Sequence, residues 1–380
     1  MLSREEIVRL VAEWGAQLQE EQRSLQQILE EIAPASTAAA EIEKTIRALA
    51  TYASEAGRLE GRRPVGKVFV SLPFNNPLYS FVLYCVGPLL AGNEVICRPS
   101  KLTSEILSRC LAVAPIPSAL GLEISILNGA DFIRSAETGA DCLIFTGSWD
   151  SAKKIERQYA GRLIYCGPGL NPFVILSDAD LATAIPALVR ARLFNNGQDC
   201  LCAERVYVHA AILHRVTETL VEAVAASKGQ VGPLINEAAA ERVQHMLSQS
   251  HAARHTLLSG NIHGALVEPS IIVTDDDDPL VRAEKFAPVF VIVPFHRVDE
   301  LEAYLARTHH YLGVTIFGGL VPDAAERLYP HVAWNTCLLE SEAEDAHNPF
   351  GGRARAGFVR YENGSQKDGP ILFSVETSTT

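Results

Sequence analysis

KVFVSLPFNNPLYSFVLYCVGPLLAGNEVICRPS, residues 67–100, decides the fold class. Its outer apolar runs, KVFVSL and NEVICR, have the length of buried strands, and FVLYCVGPLLA between them has the length of a helix. Strand, helix, strand in so short a stretch predicts two parallel strands joined by a crossover. Outward from it the alternation continues. SEILSRCLAVA reads as the next helix, and LEISIL and DCLIFTG as further buried strands; FVILSD, ERVYVH, PSIIVT and FVIVPF extend the pattern, with the helix ADLATAIPALVRARLF among them. Before residue 61 the spacing is helical, in EEIVRLVAEW and IEKTIRALATYASEAG, with Pro34-Ala35-Ser36-Thr37 as a break. The expected architecture is α/β: two doubly wound parallel-sheet domains with an N-terminal helical segment. Residues 1–60 form that segment, packed on a first sheet domain of 61–165; a second domain takes 166–345, and 346–380 return to pack elsewhere. No internal repeat or low-complexity linker separates them.

Composition narrows the function. With 380 residues, 48% of them hydrophobic, the chain suits two globular domains. A net charge of −12 argues against nucleic acid as partner, because phosphate binding needs a basic surface. No apolar run has the length of a membrane span, and MLSREEIVRLVAEWG has no signal-peptide core. The 8 cysteines show neither metal-ligand spacing nor the density of a disulfide scaffold, so buried thiols in a reducing cytoplasm are expected, without a metal. DDDD at 275–278 reads as a solvated loop.

The chemistry concentrates in LFNNGQDCLCAERVYV, residues 193–208: a helix end at Asn195-Asn196-Gly197, a turn carrying Cys200, then a strand. A thiol on such a turn can be exposed and reactive, or it can be an ordinary buried cysteine after a capped helix. Phe194-Asn195-Asn196-Gly197-Gln198-Asp199-Cys200 resembles the F-N-x-G-Q-x-C signature of aldehyde dehydrogenases, and the likeness extends in order over roughly residues 40–360. The resemblance implies that Cys200 attacks an aldehyde and that hydride passes to a nicotinamide dinucleotide, leaving a thioester. PVGKVFVSLPFNNPLYSF is similar to the family segment ending in P-W-N-F-P, which makes Asn75 the side-chain donor of the oxyanion hole. AGNEVICRPS resembles the strand and loop around the adenosine half of the cofactor, where Arg98, Ser100 and Lys101 give a positive field that suits NADP over NAD. FTGSWDSA is similar to the turn that meets the pyrophosphate, placing Gly147 and Ser148 there. VRAEKFAPVFVIV resembles the E-x-F-G-P segment, with Glu284 on the nicotinamide ribose, Phe286 beside the nicotinamide and Ala287 for the usual glycine. NPFGGRARAG at 348–357 resembles the P-F-G-G loop.

Two departures shape the expected reaction. Hydrolytic members carry E-L-G-G-K, whose glutamate activates water; here the stretch is Cys166-Gly167-Pro168-Gly169-Leu170-Asn171-Pro172, so Cys166 takes the base position. A thiol is a poor base, and losing general-base help slows a step by ~10²–10⁴-fold. The resemblance then favours acyl transfer to or from a thiol, such as CoA or a carrier-protein arm, over hydrolysis to the acid. Hydrolysis, a redox pairing of Cys166 with Cys200, and a non-catalytic dinucleotide-binding or assembly protein are the alternatives. The second departure is that AGRLEGR runs almost directly into PVGKV. The family's oligomerisation hairpin is then expected to be missing and ILFSVET to lack its usual partner, while a homodimer remains the expected assembly.

On this reading NADP binds more tightly than NAD, and Lys101→Glu reverses the preference. Titration calorimetry checks both; equal or better NAD affinity in the unmodified protein overturns the assignment.

Overall fold

A computed structural model of the chain describes residues 2–250, 255–307, 312–329, 331–341, 358–362, 365–368 and 374–376. Among these the chain divides into two compact units, one of residues 2–167 with the strands between 358 and 376, the other of residues 168–341.

The first unit opens with three helices, α1 (Arg4–Glu20), α2 (Gln22–Leu29) and α3 (Ala35–Ala56). Ser3 and Glu6 close a capping box at the start of α1, and α3 begins directly after Pro34, inside the expected break. Trp14, Leu18, Leu25, Ile42 and Leu49 bury the apolar stripe of these helices in a core shared with Val68, Val70, Phe81 and Val82. Strands follow at β1 (Arg62–Pro64), β2 (Lys67–Ser71), β3 (Glu94–Arg98), β4 (Glu123–Ile124), β5 (Cys142–Thr146) and β6 (Arg162–Cys166).

The second unit contributes β7 (Asn171–Ile175), β8 (Ala203–His209), β9 (His255–Leu258), β10 (Ile262–His263), β11 (Leu266–Val267), β12 (Ser270–Val273), β13 (Val289–Phe295), β14 (Val314–Phe317) and β15 (Val332–Trp334). Its main sheet has the order β15-β14-β7-β8-β13-β12-β9, parallel except for β9, with β10 and β11 as a separate hairpin. The central strands carry apolar residues on both faces, as a sheet covered on both sides requires. The chain then re-enters the first unit as β16 (Phe358–Glu362), β17 (Ser365–Asp368) and β18 (Ser374–Glu376). The first unit's sheet runs β17-β16-β6-β5-β2-β3-β4, parallel from β6 to β4, and β16 adds antiparallel to β6.

Several local expectations need correction. LEISIL is not a buried strand: only Glu123 and Ile124 pair, at the outermost position of the sheet, and Ile126 is 98% exposed. The helix in FVLYCVGPLLA is interrupted by a π turn over Val82–Val86, just before Pro88, which has no N–H to donate. Of ILFSVET the structure describes Ser374–Glu376, which as β18 pairs antiparallel with β1, in the stretch that runs into PVGKV. The P-F-G-G loop lies outside the described residues. The aspartate run is not uniformly solvated, because Asp276 and Asp278 are buried while Asp275 and Asp277 between them are exposed. Asp276 accepts from the Tyr207 hydroxyl at 2.9 Å and pairs with Arg307 at 2.6 Å. Asp278 accepts from the hydroxyls of Thr274 and Ser250, both at 2.7 Å, and from the Leu280 N–H at 2.8 Å. A turn closed by the Asp278 N–H on the Asp275 carbonyl at 3.1 Å, with Asp278 capping the helix that follows, separates the two inward carboxylates from the two exposed ones. No group of side chains suited to a metal, and no helix long and apolar enough to cross a membrane, occurs among the described residues.

Asp278→Ala strips three donors of their acceptor and is expected to cost about 2–3 kcal/mol of stability. Exposed Asp275→Ala should leave urea unfolding within about 0.5 kcal/mol of the parent. Equal effects of the two would overturn the division into buried and exposed carboxylates.

Candidate active site

In the second unit the helix Leu181–Leu193 gives way to Asn195, Asn196 and Gly197, with φ of 49°, 55° and 80°. Three consecutive left-handed residues reverse the chain, and asparagine and glycine are the types that tolerate this region. The asparagine amides fix the reversal. Asn195 Nδ2 donates to the Gln198 carbonyl at 2.9 Å; Asn196 Nδ2 donates to the Pro233 carbonyl at 3.1 Å, and its Oδ1 accepts from the Gly232 N–H at 2.8 Å. Gln198 Oε1 accepts from the Ile235 N–H at 2.9 Å. Gly197 is also sterically required, since a Cβ there would stand 2.3 Å from the Ala287 carbonyl carbon. Half-buried Cys200 follows this turn and precedes β8.

Two residues of the CGPGLNP stretch hold the Cys200 peptide. The buried Asn171 carboxamide donates to the carbonyls of Cys200 at 2.7 Å and Cys202 at 3.3 Å, while its oxygen accepts from the N–H groups of Leu312 and Gly313 at 2.8 and 3.2 Å. Gly169 packs so closely that a Cβ would lie 1.9 Å from the Cys200 carbonyl oxygen. Its N–H donates to Glu284 Oε1 at 2.8 Å.

Behind the turn lies a buried charge cluster, with the side chains of Arg192, Glu204 and Lys285 exposed by 0%, 1% and 0%. Arg192 pairs with Glu204 at 2.6 Å and donates to the carbonyls of Gly197 at 2.6 Å and Ala203 at 2.8 Å. Glu204 accepts from Lys285 Nζ at 3.2 Å and from the backbone N–H groups of Lys285 and Phe286 at 2.8 and 3.2 Å. Burial opposes ionisation of Glu204, but Arg192 and Lys285 outweigh it and hold the carboxyl below its ordinary range. Burial brings Lys285 down to about 8 against the pull of Glu204. Glu284 is pushed up to about 7, by burial first and by the Glu204 charge second. Phe286 is half-buried with a left-handed φ of 51°, and Arg242 clamps the carbonyls of Glu284 and Lys285 at 3.0 and 2.8 Å. Cys200, Glu284 and Phe286 are thus linked through Gly169 and Glu204.

In the first unit the expected positions lie at one edge of the sheet. Asn75 follows the end of β2, Arg98 ends β3 with Ser100 and Lys101 after it, Gly147 and Ser148 follow β5, and Cys166 ends β6. These four strands are adjacent and parallel, and the carboxyl ends of such strands are where open α/β sheets bind ligands. Asn75 is half-buried and precedes left-handed Asn76. The buried Glu41 carboxylate accepts from the Leu78 and Tyr79 N–H groups at 2.7 and 3.2 Å, anchoring the helix start beside it. Ser148 caps the helix Trp149–Gln158, and a Cβ on Gly147 would meet the Phe145 ring at 2.7 Å. Arg98 Nε donates to the Leu127 carbonyl at 3.2 Å. Its other guanidinium nitrogens and exposed Lys101 have no ion-pair partner among the described residues. Cys166 is 4% exposed, and burial pushes its thiol up to about 12 although Tyr84 hydrogen-bonds it.

The aldehyde dehydrogenase family model matches residues 2–368. The chain belongs to the aldehyde dehydrogenase family. It is 32% identical to 3,6-anhydro-alpha-L-galactose dehydrogenase of Streptomyces coelicolor over 70% of this chain and 59% of that one. It is 28% identical to 2-aminomuconic semialdehyde dehydrogenase of Bos taurus over 84% of this chain and 70% of that one. The chain therefore spans some three-fifths to seven-tenths of these curated relatives. The aldehyde dehydrogenase fold is matched by an oxidoreductase from Marinobacter aquaeolei, at a TM-score of 0.82, 20% identity and 97% and 83% coverage of the two chains. A glyceraldehyde-3-phosphate dehydrogenase from Methanocaldococcus jannaschii, complexed with NADP, matches at a TM-score of 0.77 and 24% identity, covering 88% and 82%.

Within this aldehyde dehydrogenase frame, sequence reading missed Asn171, Gly169, Arg192, Arg242, Glu204 and Lys285. Asn171 carried a visible signal, an amide in an otherwise apolar strand run. The charged residues carried none, because a charged letter reads as solvated unless its distant partner is known.

Gly169→Ala must displace the Cys200 carbonyl. Alkylation of Cys200 by iodoacetamide, followed by peptide mass, should slow at least about tenfold, since misplacement near 1 Å can cost ~10² in rate. An unchanged rate would show that the Cys200 peptide adjusts freely.

Proposed function

We propose that this aldehyde dehydrogenase family member oxidises an aldehyde through a Cys200 thioester, with NADP preferred over NAD, and hands the acyl group to a thiol in preference to water. The observation that carries the choice of acceptor is Cys166: a thiol buried to 4% exposure and pushed up to about 12 cannot take a proton from water at neutral pH. The family match and the held Cys200 turn support the first half. The same chemistry in reverse reduces an acyl thioester.

The first unit's residues fit a phosphorylated dinucleotide. Arg98 and Lys101 are cations without an ion-pair partner among the described residues, at the sheet edge that ends in the Ser148-capped helix. They would hold a 2′-phosphate, Gly147 and Ser148 the pyrophosphate, and Glu284 and Phe286 the nicotinamide half. When bound, the cofactor supplies the hydride acceptor. The chain's own part is to present Cys200 sulfur to the carbonyl carbon, to offer the Asn75 amide and the Cys200 N–H to the developing alkoxide, and to release the acyl group. A soluble homodimer acting on a small molecule is the assembly we infer.

Mixing with a reactive aldehyde and NADP should give a burst of NADPH near one per Cys200, then a stall relieved by CoA or another thiol. Cys200→Ser should abolish the burst while cofactor binding by calorimetry persists, and Cys166→Glu should raise the rate without thiol. Rapid steady turnover with no thiol in the unmodified protein would sink the thiol reading; a burst surviving in Cys200→Ser would sink the nucleophile.

A further inference from the structure

Acyl transfer to a thiol needs a group to take the S–H proton, and Cys166 is not that group. Among titratable side chains around the Cys200 turn, Glu204 has both oxygens engaged by Arg192, Lys285 and two backbone N–H groups. Asp199 accepts from the Leu201 N–H at 2.9 Å, and Cys202 is buried and pushed up to about 12. Glu284 stands apart. Its Oε1 is fixed by the Gly169 N–H at 2.8 Å, and Gly169 is in van der Waals contact with the Cys200 carbonyl. Its backbone is clamped by Arg242, and it is half-buried. Its second oxygen has no hydrogen-bond or ion-pair partner among the described residues.

We propose that Glu284 is a catalytic base of acyl transfer, taking the proton of the incoming thiol as that sulfur attacks the Cys200 thioester. This rests on the Cys200 thioester reading and adds a role beyond ribose binding. The S–H proton passes to Glu284, and the sulfur pair forms the new C–S bond. The carbonyl π pair moves to oxygen and returns as the bond to Cys200 sulfur breaks. The departing pair stays on Cys200 sulfur as thiolate, and the proton on Glu284 passes to it or to solvent. Nothing is oxidised or reduced.

The environment matches the task. Burial and the Glu204 charge raise Glu284 to about 7, with Arg242 and Arg192 pulling the other way. A free thiol titrates near ~8.5, so the two groups are close enough for proton transfer to be nearly balanced. A base acts only when ionised, so the rate should climb as pH rises through about 7 and then level for a fixed concentration of neutral thiol.

The test needs no cofactor. Cys200 is acetylated with p-nitrophenyl acetate, and loss of the acetyl group is followed by intact mass in buffer, with N-acetylcysteamine, or with thionitrobenzoate, an aromatic thiol already ionised at neutral pH. Glu284→Gln should slow loss to N-acetylcysteamine by about 10²-fold, within the usual range for general-base help, and leave loss to thionitrobenzoate unchanged. Equal rates for Glu284→Gln and the parent with N-acetylcysteamine overturn the proposal, and so does equal slowing with both thiols, which would mean a structural role. Rapid loss in buffer alone overturns the thiol as acceptor. Absence of acetyl on Cys200 before any thiol is added instead overturns the thioester reading itself, and the proposal with it.

Discussion

The second unit's chemistry hangs on three buried charges. Arg192, Glu204 and Lys285 come from the helix before the Cys200 turn, the strand after it, and the segment that carries Glu284 and Phe286. Burying an ion pair is expensive, and against an apolar filling it often adds little stability. What this cluster adds is direction. Arg192 aims at one carbonyl of the turn and one at the start of β8, and Glu204 collects two N–H groups of the 285–286 backbone. Removing any one member leaves the others charged, buried and underpaired, the costly case. The left-handed Phe286 is held in place by the same bonds.

Two carboxylates a short way apart therefore behave oppositely. Glu204 is kept ionised by its cations, whereas Glu284 is raised toward neutrality by burial and by Glu204 itself. Environments that push like groups apart are how one site comes to contain both a fixed charge and a proton carrier.

The fold was legible because period and length separate strands from helices, and 67–100 alone sets the parallel sheet. It failed where neighbours decide the outcome. LEISIL has the letters of a strand but sits at the sheet's rim, and the aspartate run has the letters of a loop but turns two of its four side chains into the core. In the site, the sequence marked a turn at Asn195 to Gly197, where the backbone is left-handed and favours asparagine and glycine, but the role expected of Cys200 came from resemblance to the family signature. The expectation at Cys166 likewise came from resemblance, with a thiol at the position where hydrolytic relatives carry glutamate. Arg192, Glu204 and Lys285 could not, since pairing across 12 and 81 positions of sequence leaves no local pattern. Nor could Gly169, whose reason is a contact with another segment's carbonyl.

The first unit's sheet is built from two stretches separated by the whole of the second unit. During synthesis the strands of residues 171–334 can pair among themselves as soon as they leave the ribosome, because every partner is already present. The earlier sheet must wait, with the edge of β6 unpaired, until residues 358–362 arrive to cover it. An uncovered parallel edge invites pairing with another chain. The nascent protein is thus most exposed to aggregation through the part made first.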